Sequence, residues 1–173
     1  MYGKTHVYDI PVHFTGAYAN TMIKKDGQWK IARSVHTPLP LSGNVAVVDG
    51  LYQGFSKGDV PAVLALMDAG IVWNEAEGFP YADQNPYIGP DAVLNGVFAR
   101  IGAEWEYFNL TDIQLQEMSN NQVLATLRYD AKHKETGKKI DSQTAHVWTL
   151  KDGKIVAFQQ YTDTWQATEA VRK

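Results

Sequence analysis

The segment from Ile140 to Trp165, IDSQTAHVWTLKDGKIVAFQQYTDTW, constrains this chain more than any other. Two β-rich runs flank Lys151-Asp152-Gly153-Lys154, and Asp-Gly tolerates the positive φ angles of a tight hairpin turn. With Asp152 and Gly153 at the turn, Leu150 falls opposite Ile155, Trp148 opposite Ala157, His146 opposite Gln159 and Thr144 opposite Tyr161. Residues directly opposite share a face, so Thr144, His146, Trp148, Gln159, Tyr161 and Asp163 are expected on one surface. Such a row of polar and titratable groups among aromatics suits a small-molecule pocket better than a dry core. A β-bulge in the last strand would flip everything beyond it, Asp163 included.

The chain has 173 residues, enough for one well-buried domain with something left over. A net charge of -3 with both signs scattered gives no support for nucleic-acid or membrane-surface binding, so neither partner is expected. The absence of cysteine excludes disulfides, thiolate nucleophiles and cysteine–zinc sites. His6, His13, His36, His133 and His146 show no ligand-like clustering, and no metal is expected. No phosphate loop, dinucleotide fingerprint or nucleophile elbow occurs, so no cofactor is expected either. Residues 1–20 lack the apolar segment of a signal peptide and no run reaches membrane-spanning length, which makes a cytoplasmic protein the default expectation.

The first forty residues predict a hairpin, with strands near Ala17–Lys24 and Trp29–Thr37 around Lys25-Asp26-Gly27-Gln28. Lys25-Asp26-Gly27 returns as Lys151-Asp152-Gly153, an offset of 151 - 25 = 126 residues, or about one small domain. Residues 1–43 are therefore read as an N-terminal β-hairpin extension, either a remnant of a preceding similar domain or an ordinary addition. Residues 44–173 form the main domain.

In that domain Val48, Leu51, Tyr52 and Phe55 fall at helical spacing, and Gly58 ends this first helix. Asp59 can cap a second helix that begins at Val60-Pro61 and packs Val63, Leu64 and Met67 inward. Ile71–Glu75 reads as a short strand leading into an aromatic loop, Phe79 to Ile88, which is read as a pocket rim or dimer contact. Gly89-Pro90-Asp91 opens a third helix with Leu94, Val97, Phe98 and Ile101 on one side. Strands follow near Trp105–Glu117 and Gln122–His133, and then the final hairpin. Helices first and antiparallel strands afterwards predict an α+β fold with the helices on one side of a curved sheet.

This order, together with Gly58-Asp59, Gly89-Pro90-Asp91 and Gly153-Lys154-Ile155 through Tyr161-Thr162-Asp163, resembles the superfamily named after nuclear transport factor 2. Within it the chain looks like the SnoaL-like polyketide cyclases and ketosteroid isomerases over about residues 45–165. The resemblance implies a cone-shaped domain, a cystatin-like α+β barrel in which three N-terminal helices pack on a strongly curved, mostly antiparallel sheet. It also implies a homodimer.

Carried over by position, Glu75 stands where the isomerases keep an aspartate general base, and apolar neighbours such as Trp73 would raise it toward neutrality. Leu51 stands where they keep an oxyanion tyrosine, with Tyr52 beside it expected to face another way. His146 stands where they place a protonated aspartate, and Asp163 where the cyclases carry an acid–base aspartate. Asp163, His146 and Glu75 are thus the candidate catalytic residues, and Trp73, Tyr129, Tyr161, Trp148 and Tyr52 the candidate substrate-binding ones. The expected function is cofactor-independent acid–base chemistry, of isomerase, cyclase or hydrolase type, on a small hydrophobic carbonyl or cyclic compound. The alternative is a non-catalytic small-ligand-binding or dimerisation module of the same fold.

Overall fold

A computed structural model describes residues 16–38 and 43–173. Packing separates a unit ending at Pro40 from a second one beginning at Leu41. In the first, β1 (Gly16–Lys25) and β2 (Gln28–Pro38) pair antiparallel about a turn in which Asp26 and Gly27 have φ of 54° and 77°. Two consecutive positive φ angles suit the right-handed twist of a hairpin, and aspartate and glycine tolerate them best. Met22, Ile23, Trp29 and Ile31 are exposed. The expectations that fall on residues 1–15 and 39–42 lie outside the described residues.

The second unit opens with α1 (Gly43–Ser56), which buries Val48, Leu51 and Tyr52 at the expected spacing. The Asp59 carboxylate accepts from Ala62 N and caps α2 (Val60–Ala65), whose Pro61 sits in the first turn, where no backbone N–H is needed. This helix stops before Met67, which is buried as the first residue of β3 (Met67–Asn74) instead of in a last helical turn.

The aromatic loop is more ordered than expected. It contains a 3₁₀ turn, Ala82–Gln84, and β4 (Tyr87–Ile88), which pairs with β3. The third helix is interrupted. It runs as α3 (Pro90–Val93), a π turn at Leu94–Phe98 and α4 (Ala99–Glu104). A π turn holds an extra residue and rotates the helix beyond it; Val97 is buried, and Leu94, Phe98 and Ile101 are half-buried. Gly96 lies in this turn because any Cβ there would collide with the Tyr87 ring.

Four strands then run antiparallel: β5 (Trp105–Met118), β6 (Gln122–His133), β7 (Lys139–Lys151) and β8 (Lys154–Thr162). The sheet order is β4-β3-β8-β7-β6-β5, with β3 parallel to β8, and the sheet is curved, as the α+β cone requires. Along β6 and β7 every second residue is buried, so one face meets the helices and the other meets solvent. A further helix, α5 (Thr164–Val171), has no counterpart in the sequence reading.

The register of β7 and β8 departs from the simple hairpin by one residue. Leu150 pairs with Ile155 as expected, but Thr149 pairs with Ala157, which leaves Val156 as a bulge. Beyond it the partners are Trp148 with Phe158, His146 with Gln160 and Thr144 with Thr162. The inner face therefore carries Phe158, Gln160 and Thr162 beside Thr144, His146 and Trp148. Gln159, Tyr161 and Asp163 do not share it, because one extra residue inverts every later side chain.

Candidate functional site

The helices and the inner sheet face enclose a cavity of about 40 Å³. That is space for on the order of three water-sized groups. Its wall is aromatic: Phe55 from α1, Trp73 from β3, Phe79 from the loop, Phe98 from the π turn, Phe108 from β5 and Phe158 from β8. Trp73 stacks on Phe158 with ring centroids 3.8 Å apart, and Trp148 packs edge-on against Trp73 at 5.7 Å. The polar groups at this cavity are Glu75, Tyr52, Tyr129, His146 and Gln160.

Glu75 follows β3 and is 2% exposed. Asn85 clamps its backbone from both sides, accepting from Glu75 N at 3.0 Å and donating to Glu75 O at 2.7 Å. The Trp73 indole donates to Glu75 Oε1 at 2.6 Å, while Oε2 is buried with no hydrogen-bond partner. Burial raises the Glu75 carboxyl to about 7, against the smaller opposing pull of the Trp73 indole and the neighbouring Gln160 amide. Its proton is thus poised near neutral pH, and one oxygen is free to meet a ligand.

His146 lies on the inner face of β7, fully buried. Its Nδ1 is 2.7 Å from Tyr52 Oη and its Nε2 is 2.6 Å from Tyr129 Oη. Burial lowers the imidazole to about 3, so the ring is neutral at ordinary pH. Trp148 Nε1 donates to Tyr52 Oη at 3.0 Å, and Gln160 Nε2 donates to Tyr129 Oη at 2.9 Å. Burial also pushes both tyrosine hydroxyls well above their ordinary range, which leaves them protonated hydrogen-bond donors.

The structure thus gathers Glu75, His146, Trp73, Tyr129, Trp148 and Tyr52 around one cavity. Tyr52 corrects the expectation that it faces elsewhere: α1 turns both Leu51 and Tyr52 toward the cavity, and the Tyr52 hydroxyl reaches across to β7. Tyr161 and Asp163 are not in the group. Tyr161 is 57% exposed on the other face of β8. Asp163 is the N-cap of α5: Oδ1 accepts from Gln166 N at 3.2 Å and Oδ2 from Gln166 Nε2 at 2.8 Å. These Gln166 amides hold the Asp163 carboxyl below its ordinary value, the reverse of what a general acid requires.

Phe158, Gln160 and Asn85 stand at the site without having been expected there. Phe158 and Gln160 were sorted to the outer face by the unbulged register, and no local pattern in the last strand marks Val156 as the extra residue. Asn85 acts through backbone contacts across ten residues, for which the chain carries no local sign. Among the described residues no cluster of three or more His, Asp or Glu side chains could hold a metal, and no helix is long and apolar enough to cross a membrane.

Comparison with known proteins agrees with this architecture. An NTF2-like protein from Burkholderia thailandensis is 30% identical, superposes with a TM-score of 0.69 and covers 77% of this chain and 100% of its own. TerC, co-crystallised with polyporic acid, is 20% identical with a TM-score of 0.67 over 76% of this chain and 100% of its own. A proposed polyketide cyclase from Pseudomonas putida is 17% identical with a TM-score of 0.63 over 75% of this chain and 98% of its own. At these lower identities the likeness concerns fold alone. No curated protein matches the chain. Residues 48–158, a span that holds most of α1, the aromatic cavity wall and most of the final hairpin, match the family described as the SnoaL-like domain, and the chain belongs to that family.

Proposed function

We propose that this protein is an acid–base enzyme of SnoaL-like type that holds a small, mostly apolar carbonyl compound in the aromatic cavity. The observation that carries this reading is Glu75 Oε2, a buried carboxylate oxygen at the cavity with no protein partner. An unmet buried charge costs about 1–3 kcal/mol or more, so such an atom is retained where a ligand or proton uses it. In the proposed step the Glu75 carboxylate takes a proton from the carbon beside the carbonyl. The electrons of the broken C–H bond form a C=C bond, and charge moves onto the carbonyl oxygen. A tyrosine hydroxyl, from Tyr52 or Tyr129, donates to that oxygen, and the proton returns from Glu75 to the same or a vinylogous carbon. His146 has both ring nitrogens engaged by tyrosines, so it acts through them without touching substrate. Asp163 has no part in this step, because it caps a helix away from the cavity wall. Two copies of the chain forming a dimer belongs to the same proposal, and light scattering that finds a monomer removes that part.

Cyclopentanone in deuterated water tests the step without knowledge of the natural substrate. The protein should speed loss of the α-proton signals, the rate should rise as pH passes about 7, and Glu75→Gln should abolish the acceleration while leaving the fold intact. Equal exchange with and without protein would sink the enzymatic reading. A second reading, a non-catalytic ligand-binding module, is favoured by the internal satisfaction of His146 and the narrowness of the cavity. It predicts ligand binding without exchange.

A further inference from the structure

Four hydrogen bonds run in a row from Trp148 through Tyr52, His146 and Tyr129 to Gln160. Both ends have a fixed direction. The Trp148 indole N–H can only donate, and it does so to Tyr52 Oη. The Gln160 amide is oriented by its own oxygen, which accepts from Ala76 N at 3.0 Å, so its NH₂ must face Tyr129 Oη. The middle of the row has no fixed direction. A neutral imidazole carries one N–H and one lone pair. Of the two tyrosine–histidine contacts, one must therefore be N–H donating to oxygen, and the other O–H donating to nitrogen.

The tyrosine that accepts from the ring has both lone pairs filled, one by the ring and one by the indole or amide, and it keeps its own proton unspent. The tyrosine that donates to the ring has used its proton and keeps one lone pair. We propose that His146 is a positioning residue that leaves the cavity one tyrosine proton at a time: from Tyr129 when the ring proton is on Nε2, from Tyr52 when it is on Nδ1. The two arrangements contain the same protons. Only the ring proton changes nitrogen, and each hydroxyl keeps its hydrogen and turns it. The polar end of the cavity thus always offers one donor and one acceptor, which fits a ligand oxygen that is a carbonyl at one stage and a hydroxyl or enol at another. Glu75 and Tyr129 line one cavity and are bridged by Gln160, which accepts from Ala76 N beside Glu75 and donates to Tyr129 Oη, and an anion there favours an O–H proton turned toward it. Ionised Glu75 therefore selects the Nε2–H ring, with Tyr129 as donor.

This inference rests on the cavity being a ligand site, and its test reads the ring directly. In protein labelled with ¹⁵N-histidine, the signals lost in His146→Gln identify the ring. They should show one bare and one protonated nitrogen from about pH 5 to about pH 8, with Nε2 protonated at the upper end. At about pH 8, where Glu75 is mostly ionised, cyclopentanone affinity, read by titration, should fall about tenfold in Tyr129→Phe and less than about twofold in Tyr52→Phe. An imidazolium ring, equal losses in the two variants, or sensitivity at the tyrosine that the ring tautomer marks as spent would each overturn the assignment.

Should a phenylalanine variant fail to fold, His146→Gln and His146→Leu decide. Glutamine reproduces one fixed arrangement, since it has a donor and an acceptor, and should keep affinity within about threefold, whereas leucine should lose about tenfold. Equal loss in both would overturn the assignment. Failure of cyclopentanone to bind the wild-type protein overturns it together with the ligand-site reading. If Glu75-dependent deuterium exchange persists while the ring or tyrosine results fail, only this inference falls.

Discussion

The chain makes nearly the same hairpin twice, and the two copies have different fates. In β1–β2 the turn residues Asp26 and Gly27 have φ of 54° and 77°; in β7–β8 Asp152 and Gly153 have 50° and 75°. Each hairpin also has one bulged residue on its second strand, Ala32 in the first and Val156 in the last. Yet Trp29, beside the first turn, is 66% exposed, whereas Trp148 is fully buried and donates to Tyr52. The local chemistry of Lys-Asp-Gly determines a turn and nothing more. A strand face becomes a cavity wall only where helices cover it, and α1 covers the face that includes Trp148 and His146.

Inserting one residue just beyond each bulge should separate the hairpins most. An alanine inserted between Ala157 and Phe158 would turn Phe158 and Gln160 outward and bring Gln159 and Tyr161 inward, so the larger unit should lose its cooperative melting transition in calorimetry. The same insertion between Arg33 and Ser34 should leave that transition in place. An insertion after Ala157 that melts like the wild type would mean that the register beyond Val156 does not set the inner face.

Truncating the two tryptophans comes next. Trp148→Ala should destabilise by about 3–5 kcal/mol in urea, because it empties a buried site and strips Tyr52 of a donor. Trp29→Ala should change stability by no more than about 0.5 kcal/mol. Similar losses would show that the first hairpin is buried in solution.

The cavity side of the comparison also has a pH signature. Glu75 binds its proton near 7 in the native state and near 4.5 in the unfolded chain, so across that window the native state holds more protons and stability falls as pH rises. His146 does the opposite. It binds near 3 when folded and 6.5 when unfolded, so its contribution is full above 6.5 and is lost as pH falls toward 3. The two slopes oppose each other between 4.5 and 6.5, where wild-type stability should be nearly flat. Glu75→Gln should remove the falling limb, leaving a variant up to about 3 kcal/mol more stable than wild type above pH 7 and unchanged below 4.5. Urea midpoints across pH check this, and a variant that tracks the wild type throughout would refute a raised Glu75.

The smallest effect belongs to the turns themselves. Gly153→Ala should cost roughly 1 kcal/mol, since alanine is strained at a φ of 75°. The same change at Gly27 should not register in the melting of the larger unit.

Much of the fold was legible because its signals are local. Asp59 before Val60-Pro61 marks a helix start, Asp152-Gly153 marks a turn, and the alternation along Gln122–His133 marks a half-buried strand. Glu75 was legible as a candidate from its place after a short apolar strand and from the family resemblance. The π turn at Leu94–Phe98 was not, and neither was the close approach of Tyr87 to Gly96 within it, a contact that helical periodicity does not encode. Asp163 is a mixed case. Its residue type suited either a strand-end acid or a helix cap, and the unforeseen α5 decided for the cap.

By itself the sequence determined the element order, the two Asp-Gly turns, the α+β class and the kinds of side chain available for chemistry, since each depends on neighbours a few residues apart. Tertiary structure alone decided which of those side chains meet. A single bulge at Val156 exchanged Gln159 and Tyr161 for Phe158 and Gln160, and the packing of α1 brought Tyr52 to His146 across 94 residues. The physical reason is that strand faces alternate with a period of two, so one unpaired residue reverses them, and its energetic cause lies in packing between distant elements.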